Sequence, residues 1–357
     1  MKRFLLLIVI VGCVNIVRSQ SLIDSALVHH CREAFYNIVL PYEAEVQGGS
    51  IVVSETETGN VKALMNFNGH GIEGWSENAS TDCLVPALNS PLAIYLALLD
   101  AGASPNEYFY SNGTLLDERS GIILRDWNYR YGGVGNITLS RAYERSRVAL
   151  VEACEQHFSR SMATAAFHMS HTGISLGDND DSLTDYLSYF ERYADIVWQP
   201  LSLMGINDKL KVIQVHMYTS GLANNGKLLM PRLCDSDPHI IIYESMAAPQ
   251  HINLVRQSMR ENVLYGLSHK ANVDGVDVFG FSNVSDVNGA DEQTSLFTGF
   301  GDKYTITVII NMFAHNSLIR ILPQQIAASI FNAIKCKQKN ESGKKANTIY
   351  KPHRSEK

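Results

Sequence analysis

The sequence predicts an α+β fold in which one antiparallel sheet is built from both ends of the chain. Patterns typical of strands occur near both ends, at 49–67 and 276–313, whereas most of the chain between them has helical patterns. A single sheet buries the apolar faces of both strand groups most economically. We therefore expect helices from the chain ends on one face and a helical lobe, about 85–226, on the other.

The first strands are predicted as a hairpin that follows a helix. Apolar residues at helical spacing predict a helix over 22–40, which Pro41 ends. The segments 49–55 and 61–67 have the composition of strands, with a Thr-Gly-Asn turn between them.

The remaining elements follow from the same patterns. Helices are predicted at 86–101, at 138–159 with a break near Ser146, through most of 160–226, at 252–263 and at 323–335. Strands are predicted at 227–233, 276–281, 294–300 and 304–313, the last from a run of β-branched residues.

Composition divides the chain into four parts. Residues 1–19 resemble a signal peptide, because Lys2 and Arg3 precede a short apolar run and small residues follow it. Residues 20–45 hold the N-terminal helix, 46–337 form one domain, and 338–357 read as a basic, disordered tail. The run ending at Cys13 is a passable lipobox, so a lipidated N-terminus is the alternative to a soluble one.

The charge and the cysteines exclude some functions. A formal net charge of −6 argues against a nucleic-acid-binding protein. Five widely spaced cysteines follow the predicted signal peptide; free thiols are favoured over disulfides, and no zinc pattern occurs. Two other patterns contain residue types that bind metals, but surface or turn roles are favoured for both: His29-His30-Cys31, and the acidic group of Asp178, Asp180 and Asp181. No cofactor is predicted.

Several segments resemble the transpeptidase domain of class B penicillin-binding proteins, a relative of the serine β-lactamases. They are the hairpin at 49–65, Ile213-Gln214-Val215 followed by Leu222 to Gly226 and Pro231, the helix and turn at 252–266, and the strand at 297–300. Their order and spacing match that family over about 45–335. The resemblance implies the β-lactamase/transpeptidase-like fold, with an antiparallel sheet, flanking helices and a helical lobe.

The family's first catalytic motif is degenerate in this chain. In S-x-x-K, a Ser at a helix start is the nucleophile and a Lys on the same helix face helps remove its proton. Alignment without gaps places Leu88 at the Ser position and Pro91 at the Lys position; a shift of one residue gives Ala87 and Ser90. Neither alignment supplies the pair, which leaves Ser90 as a weak alternative nucleophile.

The other two motifs are degenerate as well. The S-x-N motif falls at Ser146 to Val148, so its Asn is lost. The K-T-G motif falls at Phe281, Ser282 and Asn283, where Phe replaces the Lys and Asn the Gly. His171-Thr172-Gly173 has the look of an H-T-G variant of this third motif, but its place in the helical middle favours a loop turn.

These losses predict a non-catalytic protein of the cell envelope or periplasm. We expect an exported pseudoenzyme with the transpeptidase fold and a binding or scaffold role linked to peptidoglycan. The alternatives are an active D-alanyl-D-alanine transpeptidase or serine hydrolase with an altered site, and a drifting paralogue without a selected role. Expected partners are peptidoglycan stem peptides or envelope proteins, with no nucleic acid, and with membrane attachment only through Cys13.

Overall fold

A six-stranded antiparallel sheet lies at the centre of the computed structural model, which describes residues 20–69, 75–116, 123–157, 209–285, 292–313 and 317–349. In spatial order its strands are β12 (Phe279–Val284), β13 (Glu292–Phe300), β14 (Tyr304–Phe313), β1 (Val46–Glu55), β2 (Val61–Asn68) and β3 (Ser76–Asn78). The sheet thus joins both ends of the chain, as the sequence predicts.

The central strand β1 is buried on both of its faces. Ile51 lies opposite Val308 of β14, and Val53 lies opposite Ile306. Successive side chains of a strand point to opposite faces, so Ile51 and Val53 enter one apolar cluster and Val52 the other. This two-sided burial fits the three consecutive apolar residues, Ile51 to Val53, in the middle of β1.

Helices from the two chain ends cover one face of the sheet. They are α1 (Ser25–Val39) and α7 (Leu322–Ile349), which contact each other and the strands β2 and β14. Asp24 caps α1 by accepting hydrogen bonds from the backbone N–H groups of Ala26 and Leu27. Phe35 of α1 stacks on Phe67 of β2, with ring centroids 3.8 Å apart.

The helical lobe covers the other face. Its described helices are α2 (Ser90–Asp100), α3 (Leu139–Arg145), α4 (Arg147–Gln156), α5 (Val212–Ala223) and α6 (Pro249–Tyr265). Its short strands are β4 (Leu84–Pro86), β5 (Tyr108–Ser111), β6 (Thr114–Leu116), β7 (Ile123–Arg125), β8 (Gly135–Thr138), β9 (Lys209–Lys211), β10 (Leu228–Leu229) and β11 (Ile241–Tyr243). Helix α2 is buried on nearly every side, which makes it the core of the lobe.

Several predicted boundaries differ from the structure. The helix predicted from residue 86 begins at Ser90, because a start at 86 would place Pro91 where it clashes with a helical carbonyl. The strand predicted at 227–233 is shorter in the structure, where β10 spans only Leu228–Leu229. The strand predicted at 276–281 is shifted by three residues, to β12 at Phe279–Val284. Helix α7 continues to Ile349, past its predicted end at 335, and covers part of the range expected to be disordered. The predicted break near Ser146 is confirmed, since α3 ends and α4 begins on either side of it.

The cysteines of the described part are all unpaired. Cys31 and Cys154 are buried, Cys83 and Cys234 are half-buried, and Cys336 is exposed. Burial raises the pKa of the Cys31 thiol to about 12, so that thiol stays protonated at neutral pH.

Some sequence predictions concern other parts of the chain. The predicted signal peptide with Cys13, the His171 turn and the acidic group at 178–181 lie outside the described residues. Within the described part, no helix is both long enough and apolar enough to cross a membrane.

Candidate active site

The positions that the alignment assigns to the three motifs come together where α2, α4 and β12 meet. The Asn283 side chain joins them, because its Nδ2 donates to the backbone oxygen of Leu88 at 2.8 Å. Its Oδ1 accepts a hydrogen bond from Nη2 of Arg147 at 2.9 Å, and Arg147 also donates to the backbone oxygen of Val284. The three aligned positions therefore lie close together in space, and one side chain links them.

The first motif position is closed by packing. Leu88 is buried, and Pro91 follows it in the first turn of α2. Ser90 is only 1% exposed, and its Oγ donates to the backbone oxygen of Ala87 at 2.7 Å. This hydroxyl is thus satisfied within its own turn, and Pro91 supplies no base to it.

Ser146 of the second motif has two structural bonds. Its Oγ accepts from the backbone N–H of Ala149 at 3.0 Å, which caps α4, and donates to the Asp126 carboxylate at 2.5 Å. The same carboxylate oxygen accepts from Ser111 at 2.6 Å. Asp126 therefore ties the start of α4 to β5, while Val148, at the lost Asn position, is buried.

Aromatic packing fills the third motif position. Phe281 is 1% exposed and stacks against Tyr143 of α3, with ring centroids 5.6 Å apart. Tyr143 in turn stacks on Tyr95 of α2 at 5.0 Å. The Ser282 hydroxyl accepts from Ser268 at 2.8 Å. An apolar column therefore stands where the family's Lys would reach the cleft.

What remains open at this place is a small cavity of about 40 Å³. Four arginines line it, Arg125, Arg145, Arg147 and Arg320, together with the carboxylates of Asp126 and Glu144. A volume of this size is comparable to one or two water molecules. We refer to it below as the arginine pocket.

Two buried polar side chains, at the start of α2 and in α3, have no hydrogen-bond partner among the described residues. They are the side-chain amide of Asn89, at the start of α2, and the hydroxyl of Tyr143, which lines the arginine pocket. Burial raises the pKa of Tyr143 well above its usual range, so its hydroxyl remains a neutral donor.

Sequence reasoning did not find the arginine pocket. Its arginines come from three separate segments, at 125, 145–147 and 320, so no local motif contains them. The one available signal is the alternation of Arg and aromatic residues from Arg125 to Tyr131.

Metal ligands are not grouped in the described part of the chain, where no three His, Cys, Asp or Glu side chains lie close enough to share an ion. His29 and His30 both lie near the carboxylate of Glu33, at 3.3 and 3.8 Å, on the exposed side of α1. Cys31 points away from them into the core.

Residues 49–335 match the sequence profile described as the penicillin binding protein transpeptidase domain. The chain belongs to this family. The match covers most of the sheet and the whole described lobe. It includes the positions aligned with all three catalytic motifs of the penicillin-binding protein transpeptidase family. No curated protein sequence matches it.

Solved structures agree with this family membership at the level of the fold. The transpeptidase domain of Burkholderia pseudomallei penicillin-binding protein 3 is 15% identical, with a TM-score of 0.64 over 94% of this chain and 98% of that one. Penicillin-binding protein 3 of Mycobacterium tuberculosis is 14% identical, with a TM-score of 0.66 over 89% and 78%. The transpeptidase domain of the Legionella pneumophila FtsI4 D,D-transpeptidase is 14% identical, with a TM-score of 0.57 over 86% and 96%.

Proposed function

We propose that this penicillin-binding protein transpeptidase-family chain is a pseudoenzyme of the cell envelope. It would keep the fold and act by binding peptidoglycan stem peptides or envelope proteins. The observation that carries the proposal is the Asn283 side chain, which bonds the first motif to the second and occupies the strand edge where the family has Gly. Catalysis in this family needs that edge open and a Lys beside the nucleophile.

The three candidate serines also support a non-catalytic role. Ser90 donates to a backbone oxygen, Ser282 accepts from another serine, and Ser146 caps a helix. None of these bonds involves a Lys or His base. Loss of one member of a nucleophile–base unit alone costs several orders of magnitude in rate.

Export is part of the same proposal. The basic start, the short apolar run and the small residues before Gln20 favour a cleaved signal peptide, with lipidation of Cys13 as the alternative. Mass spectrometry of the mature protein from cells would distinguish an N-terminus at Gln20 from a lipidated Cys13.

Intact mass after incubation with a fluorescent penicillin tests the lack of catalysis. We expect no adduct with the folded protein, since none of the three candidate serines, Ser90, Ser146 and Ser282, is bonded to a Lys or His base. A stoichiometric adduct would overturn the proposal, and Ser90→Ala, Ser146→Ala and Ser282→Ala variants would then identify the acylated residue.

The second candidate function is a serine hydrolase with an altered mechanism. The short Ser146–Asp126 hydrogen bond favours it, because a carboxylate can act as a general base toward a hydroxyl. Against it, the Asp126 carboxylate also accepts from Ser111, and Ser146 is buried. Turnover of a D-alanyl-D-alanine peptide that disappears in Ser146→Ala would establish this alternative.

A further inference from the structure

We propose that the arginine pocket and the exposed segment beside it form a docking surface for an acidic polypeptide segment. This inference rests on the proposed non-catalytic role, since it assigns a binding function to the space that remains open at the closed cleft and to the segment beside it. The exposed segment is 125–131, and we call it, together with the arginine pocket, the Arg–aromatic surface.

The segment presents its arginine and aromatic side chains to solvent. Burial alternates from residue 124 to residue 127, as the two-residue period of an extended chain requires. Leu124 and Asp126 are buried, whereas Arg125 and Trp127 are exposed. Trp127 is 58% exposed and Tyr131 is 89% exposed. Leaving large aromatic rings in water is costly for a surface that has no partner.

Two arginine side chains of this segment pack over the ring of Tyr129. The guanidinium carbons of Arg125 and Arg130 lie 5.1 and 5.6 Å from the ring centre of Tyr129. This cation–π packing fixes the two guanidinium groups at the surface, and because it does not neutralise them, their positive charge remains available to a partner. Arg, Trp and Tyr are also the residue types that dominate binding energy at protein interfaces.

The charge of the arginine pocket selects an acidic partner. Four arginines and two carboxylates line the pocket, and one of those carboxylates, Glu144, is shared by Arg141 and Arg145. The pocket is therefore locally positive in a chain whose formal net charge is −6. An extended polyanion would be repelled by the negative charge of the rest of the protein. A short acidic segment would contact only the positive surface.

The unpartnered hydroxyl of Tyr143 is the second observation that points to a ligand. Tyr143 is 3% exposed, lines the pocket, and has no hydrogen-bond partner for its hydroxyl among the described residues. Buried hydroxyls nearly always have a partner. A carboxylate oxygen entering the cavity of about 40 Å³ would accept this hydrogen bond beside the arginines.

The test uses a fluorescein-labelled peptide of alternating Glu and Leu, and the same peptide with Gln in place of every Glu. Fluorescence anisotropy with the full mature protein should show saturable binding of the Glu peptide, weakened by added salt, and none of the Gln peptide. A double variant, Arg125→Ala with Trp127→Ala, should weaken binding by at least about tenfold. The matched control, Lys303→Ala with Tyr265→Ala, also removes an exposed charge and an exposed ring, and should change binding by less than about twofold.

A second variant distinguishes an effect on peptide binding from an effect on the stability of the fold. Tyr143→Phe removes only the unpartnered hydroxyl, so the melting temperature should hold or rise while peptide binding weakens severalfold. Absent binding of the Glu peptide, equal binding of the Gln peptide, or equal binding by the Arg125/Trp127 double variant would overturn the proposal. So would equally tight binding of a single-stranded oligonucleotide, which would indicate a general polyanion surface. These outcomes are independent of penicillin acylation, so a failure here differs from a failure of the proposed function.

Discussion

Asn283 links three elements of the fold through a single side chain. Its amide donates to the backbone oxygen of Leu88 and accepts from Arg147, so it links β12, the start of α2 and the start of α4. A glycine at this place would have no side chain and could make neither bond. The polar side chain of Asn283 therefore links the sheet to the lobe.

We expect Asn283→Ala to lower the free energy of unfolding by about 1–3 kcal/mol, because it leaves the Leu88 carbonyl and the Arg147 guanidinium without this partner. Guanidinium chloride unfolding followed by circular dichroism would measure the loss. Asn136→Ala is the matched control, since Asn136 is exposed on β8 and should change stability by less than about 0.5 kcal/mol. Equal effects of the two substitutions would contradict a linking role for Asn283.

Ser146 is a structural residue by its hydrogen bonds. We expect Ser146→Ala to destabilise the protein by about 1–2 kcal/mol, because it removes the cap of α4 and a hydrogen bond to the buried Asp126. Ser146→Thr keeps a hydroxyl that can cap the helix, so thermal unfolding should show it closer to the unsubstituted protein. Stability unchanged in Ser146→Ala would show that the hydroxyl is free for another role.

At the scale of elements, a buried polar network joins helix α5 to the sheet. His216 of α5 lies 2.7 Å from the Ser54 hydroxyl of β1 and 3.0 Å from the Thr307 hydroxyl of β14. Thr307 continues to Thr298 of β13 at 2.8 Å, and Thr298 donates to Thr219 of α5 at 2.8 Å. Because each member has a partner, the network fixes the position of the helix over the three strands.

This network predicts a pH dependence of stability. Burial lowers the pKa of His216 to about 3, below the ordinary value of 6.5, so the folded protein keeps the ring neutral. The unfolded chain takes up a proton below pH 6.5, and the folded state therefore loses stability as the pH falls from 6.5 toward 3. At pH 5 this amounts to about 2 kcal/mol.

Denaturant unfolding of the protein and of a His216→Gln variant at several pH values between 5 and 8 would test this. The variant should be less stable at pH 8, where the network is disturbed, but should lose less stability on going to pH 5. If the two proteins lose the same stability over that interval, His216 does not remain neutral in the fold.

The elements also show how far the sequence determines the fold. The β-branched run at 304–313 predicts β14 with its correct ends, because a strand buried on both faces favours consecutive β-branched residues over a strict polar–apolar alternation. Helix α2 was predicted too long, although Pro91 supplied the signal for a start at Ser90. Burial of this helix on all sides had removed the periodicity that would have marked its boundary.

The candidate site was predictable only in part, for a related reason. Alignment to the family places Leu88, Ser146 and Phe281 at the motif positions, and the structure brings those positions together. The closure itself depends on contacts between residues far apart in sequence, such as Asn283 with Leu88 and Phe281 with Tyr143. A linear sequence contains no pattern for such pairs.

At the scale of the whole molecule, the sheet makes the chain ends and the lobe interdependent. β1 pairs with β2 on one side and with β14 on the other, so the strand nearest the N-terminus lies between early and late parts of the chain. One apolar cluster under α1 and α7 and a second under the lobe share this sheet as their common wall. Loss of either cluster therefore exposes the strands that support the other.

The interdependence predicts that damage to the C-terminal helix also destabilises the distant lobe. Phe331 of α7 is 3% exposed within the cluster under the terminal helices, and Phe331→Ala should lower the free energy of unfolding by about 3–5 kcal/mol. Hydrogen exchange measured by mass spectrometry should show faster exchange by a similar factor in peptides covering β14 and α2, because both open with the same global transition. Gln325→Ala on the exposed side of α7 is the control and should leave both peptides protected. Faster exchange in β14 with unchanged protection in α2 would show instead that the lobe folds independently of the sheet face that α7 covers.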